Sequence, residues 1–213
     1  MLCIVQARCG SKRLKRKIFK KINNISIIQR VINNLKKSKQ ISKIIIATSK
    51  YKEDGDIEVF FKKNKIQFYR GSLNNVASRF VEIAKIYKVK EIIRISCDSP
   101  FIDSKLIDIG IKKFNKSKFH LLTNVFPRTF PKGLSFEIFK TSILENNINN
   151  YSKNDKEHVT KFFYKNFNKF KIFNLKAKKK YENINLCVDT LVDLNFLRKN
   201  FKIISMRSFS WKY

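Results

Sequence analysis

The feature that most constrains this chain is an alternation. Over its first 115 residues, short apolar runs at 2–5, 43–48, 66–69 and 91–96 take turns with stretches whose apolar residues recur at helical spacing. Each run is too short for a helix and too apolar for a surface, so it reads as a strand buried on both faces. Strands separated by helices make βαβ units and a mainly parallel sheet, wound right-handed, with helices on both faces. In such sheets ligands bind beyond the carboxyl ends of the strands. The loops after Val5, Thr48, Tyr69 and Ser96 are therefore expected to share one edge, and Gly10, Gly71 and Asp98 fall in them.

The helices carry their own start signals. Ser26 precedes Ile27, Ile28, Val31, Ile32 and Leu35 at helical spacing. A short helix is expected at 56–63. Asn74 or Asn75 caps a helix bearing Val76, Phe80, Val81, Ala84 and Tyr87, and Asp103 caps one over 104–114. The second half is less regular. Residues 119–124, 170–175 and 184–188 read as strands, and 134–139 as an exposed or hairpin strand. Ser152 with Asp155 forms a capping box for a helix through Phe163, and Thr190 with Asp193 forms another for a short final helix. No linker divides the chain, so one domain over 1–213 is expected, and its apolar content of 43%, with 20 Phe, supplies the core.

Composition bears on the partner. The net charge is +31, which by itself suggests a polyanion. The lysines, however, run along the whole chain together with many Ile, Asn and Phe, as a broad compositional bias would place them. A solvated basic surface without a specific nucleic-acid site is the expectation. The four cysteines, Cys3, Cys9, Cys97 and Cys187, form no C-x-x-C pair. With no secretory signal and no run of membrane-spanning length, free thiols and a cytoplasmic location are expected.

Three stretches carry chemistry. The first, QARCGSKRLKRK at 6–17, leaves the first strand and offers backbone N–H groups, a close approach at Gly10, and the charges of Arg8, Arg13 and Lys17. That suits a polyphosphate, although the P-loop pattern is absent. The second is RISCDSPFID at 94–103, where Asp98 ends a strand and, unlike Asp103, has no capping role to account for it. The third is LCVDTLVDL at 186–194, where Asp189 ends a strand and Asp193 is taken up by its capping box. Two carboxylates at strand ends can converge on one Mg²⁺, and with a polyphosphate loop they suggest phosphoryl or nucleotidyl transfer.

These stretches, with RGSLNNVASRF, NVFPRTFPKGLSFEIF and KEHVTKFFY, occur in the order seen in the cytidylyltransferase family. The chain resembles the branch of that family named for spore-coat polysaccharide biosynthesis protein F, and more distantly the CMP-KDO and CMP-acylneuraminate synthetases. The resemblance implies a Rossmann-like α/β nucleotidyltransferase fold with a small β-hairpin dimerisation insertion, and a homodimer. It implies CTP and a sugar acid as substrates, Mg²⁺ as cofactor, and release of pyrophosphate. By position, Ala7, Arg8, Gly10, Ser11, Arg13 and Lys17 match the triphosphate loop. Gly71, Ser72 and Arg79 match the segment near the nucleoside, and Asp98 and Asp189 match the metal carboxylates. Catalysis would rest on Arg8, Arg13, Lys17 and Asp98. Asn124, Arg128, Glu137, Glu157 and His158 fall in segments expected to form the sugar pocket, with one of the adjacent pair Glu157 and His158 structural.

The chain departs from the family pattern in two places. Lys15-Arg16 stands where the family writes Pro-Gly, so a positive φ there would strain Arg16 by about 1 kcal/mol. Cys97 replaces a common Gly, and with Cys9 and Cys187 it falls near the expected site. The spacing of these three fits no zinc pattern, and small fillers beside the site are expected. Two other function classes compete: a glycosyltransferase of related fold, disfavoured because CDSP at 97–100 lacks Asp-x-Asp, and a binding protein, either a basic RNA binder or an inactive nucleotide-binding relative.

Overall fold

A computed structural model describes residues 1–11 and 13–207. Strand β1 (Leu2–Gln6) opens the chain, followed by a loop, one 3₁₀ turn at Lys17–Phe19, and a small antiparallel pair, β2 (Lys21–Ile22) and β3 (Ile25–Ser26). Then come α1 (Ile27–Leu35), β4 (Lys43–Ser49), α2 (Gly55–Lys63), β5 (Phe68–Gly71), α3 (Val76–Ile86), β6 (Glu91–Ser96) and α4 (Ser104–Asn115). The second half runs through β7 (Leu121–Thr123), β8 (Glu137–Lys140), α5 (Thr141–Asn147), α6 (Lys153–His158), α7 (Lys161–Lys165), β9 (Ile172–Asn174), α8 (Leu191–Lys199) and α9 (Phe201–Arg207).

Seven strands form one sheet in the order β5-β4-β1-β6-β8-β7-β9. Strands β5, β4, β1 and β6 are mutually parallel, and β8 alone opposes its neighbours β6 and β7. Period-two alternation sends Cys3, Val5, Ile46, Ile93 and Ile95 to one face, where they pack against the apolar sides of α1, α2, α4 and α8. Leu2, Ile4, Ile45, Ala47 and Ile92 face the other way, toward α3, α5 and α7. The expected α/β sheet with helices on both faces is therefore present. The chain leaves β1 for β4 on one side and later reaches β6 on the other, so strand order reverses at the β1–β6 pair. Loops leaving that pair open a crevice at the carboxyl edge.

The capping signals hold in atomic detail. Ser26 Oγ accepts from Gln29 N, Asn75 Oδ1 from Ser78 N, and Asp103 Oδ1 from Lys105 N and Leu106 N. Both capping boxes close, Ser152 with Asp155 and Thr190 with Asp193.

Two expectations are corrected and a third is narrowed. Residues 184–188 make no strand. Asn185 forms a single bridge to Lys132, and the segment is tied instead by isolated bonds such as Val188 N to Asp98 O at 2.9 Å. Of the two readings of 134–139, exposed or hairpin, the second holds: its core, β8, pairs antiparallel with the preceding β7, but it is buried inside the sheet between β6 and β7. The helix expected to run through Phe163 breaks at Val159, whose φ of 55° and ψ of −63° no helix accommodates. Helix α5, the position of the small β2–β3 hairpin and the second C-terminal helix α9 were not anticipated.

Candidate active site

A cleft of about 760 Å³ opens at the carboxyl edge over the β1–β6 crevice. Its lining gathers Ala7, Arg8, Gly10, Ser11, Arg13 and Lys17 from the first loop with Arg79, Asp98, Glu157, His158 and Asp189. Residues up to 183 positions apart in sequence thus meet because the loops after β1 and β6, helices α3 and α6 and the N-terminal end of α8 converge there.

The first loop is shaped by its backbone. Cys9 N donates to Asp54 Oδ1 at 2.6 Å, while the Cys9 carbonyl accepts from Ser11 N at 2.7 Å and Arg16 N at 3.3 Å. Asp54 is buried and also accepts from the backbone N–H and the hydroxyl of Ser49 at the end of β4. It therefore ties the loop to the neighbouring strand end. Arg16 adopts the left-handed conformation, φ 54° and ψ 31°, so the condition for strain at this position is met. The loop thus turns within a conformation that glycine reaches freely, and its guanidinium lies over the Phe19 ring at 5.6 Å.

Lys17 is the centre of the cluster. Its Nζ donates to Asp98 Oδ2 at 3.2 Å and to Asp189 Oδ1 at 2.8 Å, and Arg13 reaches the same Asp189 oxygen at 3.2 Å. Burial works against charge on Lys17, but the two carboxylates outweigh it and hold the ammonium above the ordinary lysine range. Asp98 is fixed from behind, its backbone carbonyl accepting from Val188 N and its side chain accepting from Ser99 Oγ at 3.3 Å. Asp189 is fixed by its own N–H, which donates to Asp193 Oδ2 at 3.0 Å. On the opposite wall Arg8 pairs with Glu157 at 3.3 Å.

Five of the residues singled out from sequence stand apart from this lining. Gly71 ends β5, where an added Cβ would come within 2.9 Å of Arg79 Cγ. Ser72 presents its carbonyl to Arg79 Nε at 2.7 Å. Arg79, itself 2% exposed, also reaches Leu73 O, so it pins the 72–73 turn beside the cleft. Asn124 is wholly buried and clamps its own connection, donating to Leu134 O and accepting from Phe136 N. Arg128 donates to Ser135 Oγ at 2.9 Å on that same connection.

Glu137 is the fifth, and it is instructive. It is buried, and it accepts from Thr160 Oγ1 at 2.8 Å and Tyr164 OH at 3.0 Å while pairing with Arg94 at 2.8 Å. Arg94 in turn donates through Nε and Nη2 to Gln6 Oε1. Gln6, Arg94 and Ser96 line the cleft floor, and sequence reasoning did not assign them. A signal existed, because Arg94 is a charged residue inside an otherwise apolar strand, and such a residue needs a buried partner.

The cysteines behave as packing. Cys9 and Cys97 are buried, burial pushes the Cys97 thiol up, and it pushes Cys187 up to about 12. Protonated thiols are poor metal ligands. Among the described residues no three His, Cys, Asp or Glu side chains gather as a metal site. Asp98 and Asp189 are a pair, however, and their oxygens already converge on one cation, the Lys17 ammonium. A Mg²⁺ ion is held by one or two carboxylates together with substrate phosphates, so this donor set fits it.

Against known proteins, the family model described as cytidylyltransferase matches residues 2–202. A structure of a cytidylyltransferase from Leptospira borgpetersenii superposes with a TM-score of 0.88 at 29% identity, covering 99% of this chain and 95% of that one. The spore coat polysaccharide biosynthesis protein SpsF of Bacillus subtilis is 26% identical over 93% of this chain and 85% of its own length. An uncharacterised protein of Methanocaldococcus jannaschii is 36% identical over 95% of this chain and 85% of its own.

Proposed function

The chain belongs to the cytidylyltransferase family, and from that premise we propose that it transfers CMP from CTP to a sugar acid, of nonulosonic or KDO-like class, with release of pyrophosphate. One observation carries the reading: a cationic loop and two carboxylates from distant parts of the chain meet in one cleft at the strand-order reversal. Similarity to the Bacillus subtilis protein supports a role in surface polysaccharide synthesis.

In this reading Arg8, Arg13 and Lys17 of the loop hold the triphosphate. Their charge offsets what develops at the α-phosphorus as the sugar hydroxyl attacks in line and pyrophosphate leaves. Asp98 and Asp189 would hold Mg²⁺, which supplies charge neutralisation at the phosphates when bound. Arg79 keeps the nucleoside-side turn in place, and Glu157 and His158, which both line the cleft where one of them was expected to be structural, face the acceptor. Glu137 acts at one remove, orienting Arg94 and through it Gln6 at the cleft floor. Because the burden is positioning and electrostatics, no general base is assigned. The left-handed Arg16 supports an active loop over an inactive one, since its backbone lies in the region that glycine occupies freely. A homodimer and a cytoplasmic location belong to the same reading, and light scattering tests the first. Among the described residues no helix is long and apolar enough to cross a membrane.

The test is an incubation with CTP, Mg²⁺ and a panel of sugar acids, reading pyrophosphate. Release that depends on both CTP and one sugar acid is the expected result. Release with a different nucleoside triphosphate and none with CTP would overturn the nucleotide assignment.

A further inference from the structure

The Lys17 ammonium lies where two carboxylates converge, 3.2 Å from Asp98 and 2.8 Å from Asp189, and its side chain is only 12% exposed. Arg13 adds a second cation on the same Asp189 oxygen. The formal charges of this cluster, two carboxylates against Lys17 and Arg13, already cancel. A divalent ion arriving alone would meet an occupied position and leave the cluster net positive. An ion arriving with a polyphosphate meets a different balance, because the phosphates supply both negative charge and new acceptors for the ammonium.

We propose that Lys17 is a built-in counter-cation for the Asp98–Asp189 pair, which keeps divalent metal out of the free protein until a polyphosphate draws its ammonium away. Metal and nucleotide would then bind as a coupled pair. The inference rests on the reading of Asp98 and Asp189 as metal carboxylates. It goes beyond that reading by giving Lys17 a task in the ligand-free state and by fixing the order of binding. The rest of the loop suits the exchange: Lys17 opens the 3₁₀ turn directly after the left-handed Arg16, so its Nζ swings on a long side chain from a fixed backbone.

The test uses Mn²⁺ alone as probe, with free ion read by electron paramagnetic resonance on the full chain and no nucleotide present. Lys17→Met should bind Mn²⁺ at least about tenfold more tightly than the wild type, and Lys17→Gln should do the same. Lys15→Met, which removes the same charge from an exposed position on the same loop, should leave the affinity unchanged. Adding Asp98→Asn to Lys17→Met should abolish the gain. The two lysine variants are checked for fold by circular dichroism, and either one suffices. Folded variants that bind Mn²⁺ no more tightly than the wild type would overturn the proposal, as would an equal gain in Lys15→Met. No turnover is involved, so a failure to find a sugar substrate would leave this result standing on its own.

Discussion

At the scale of single residues, the site is held by side chains whose function is to place others. Arg16 accepts a left-handed backbone that disfavours any residue with a Cβ. Arg16→Gly is therefore expected to stabilise the protein by up to about 1 kcal/mol, less the added chain entropy of glycine and the lost contact with Phe19. Urea unfolding reads the gain, and a loss of stability would show that the loop draws more from Arg16 than its backbone suggests. Glu137→Ala points the other way. It leaves the half-buried Arg94 without its carboxylate; removing one member of a fully buried pair costs about 3–5 kcal/mol, so a loss somewhat below that is expected. The same variant frees Arg94, and through it Gln6, from the carboxylate that orients them, so weaker acceptor binding with CTP binding retained is expected by calorimetry. Equal weakening of both would return Glu137 to a purely structural role.

At the scale of elements, capping and strain decide where the functional side chains point. Asp193 closes the box on Thr190 and also receives the Asp189 N–H. Burial disfavours its charged form, but the bonds from Thr190, Asp189 and Asn185 outweigh this and hold its pKa below the ordinary 3.8. A depressed folded-state pKa means the stabilisation is present above the unfolded value and fades as pH falls through the folded one. Asp193→Asn is expected to cost about 1 kcal/mol at neutral pH. The gap to the wild type should narrow as pH falls below about 3.8. Thermal melts across that range check it, and a gap that widens on acidification would contradict the assignment.

Legibility in the sequence follows from whether a signal is local. The strands β1, β4 and β6, all five helix caps and the loop carrying Arg8, Arg13 and Lys17 declare themselves within a few residues. Asp98 and Asp189 were found by elimination, as carboxylates without a capping task. What stayed hidden was long-range. The break at Val159 depends on Thr160 reaching Glu137 from another element, and a β-branched residue at φ 55° is held there at a cost of about 1–3 kcal/mol that only tertiary contacts explain. Segment 184–188 has strand composition but finds no continuous partner edge, so its bonds go singly to Lys132 and Asp98. Gln6 and Arg94 escaped because their cooperation spans 88 residues.

At the scale of the whole molecule, one sheet edge concentrates the chemistry while the charge is spread everywhere. A net charge of +31 predicts salt-sensitive sticking to nucleic acid of any sequence. Fluorescence anisotropy should find duplex DNA bound at low salt regardless of sequence, with affinity falling by about 10³-fold or more between 50 and 200 mM salt if six or more phosphates are contacted. Sequence-selective binding that survives 200 mM salt would reopen the nucleic-acid reading. The catalytic claim makes a sharper demand, because it assigns one task to two carboxylates brought together only by the fold. The most direct measurement is the turnover number for CTP-dependent pyrophosphate release by Asp98→Asn, Asp189→Asn and the double variant. Groups acting as a unit are non-additive, so each single variant should lose about 10²-fold or more and the double variant should lose little beyond that. Wild-type turnover surviving in the double variant would contradict the account.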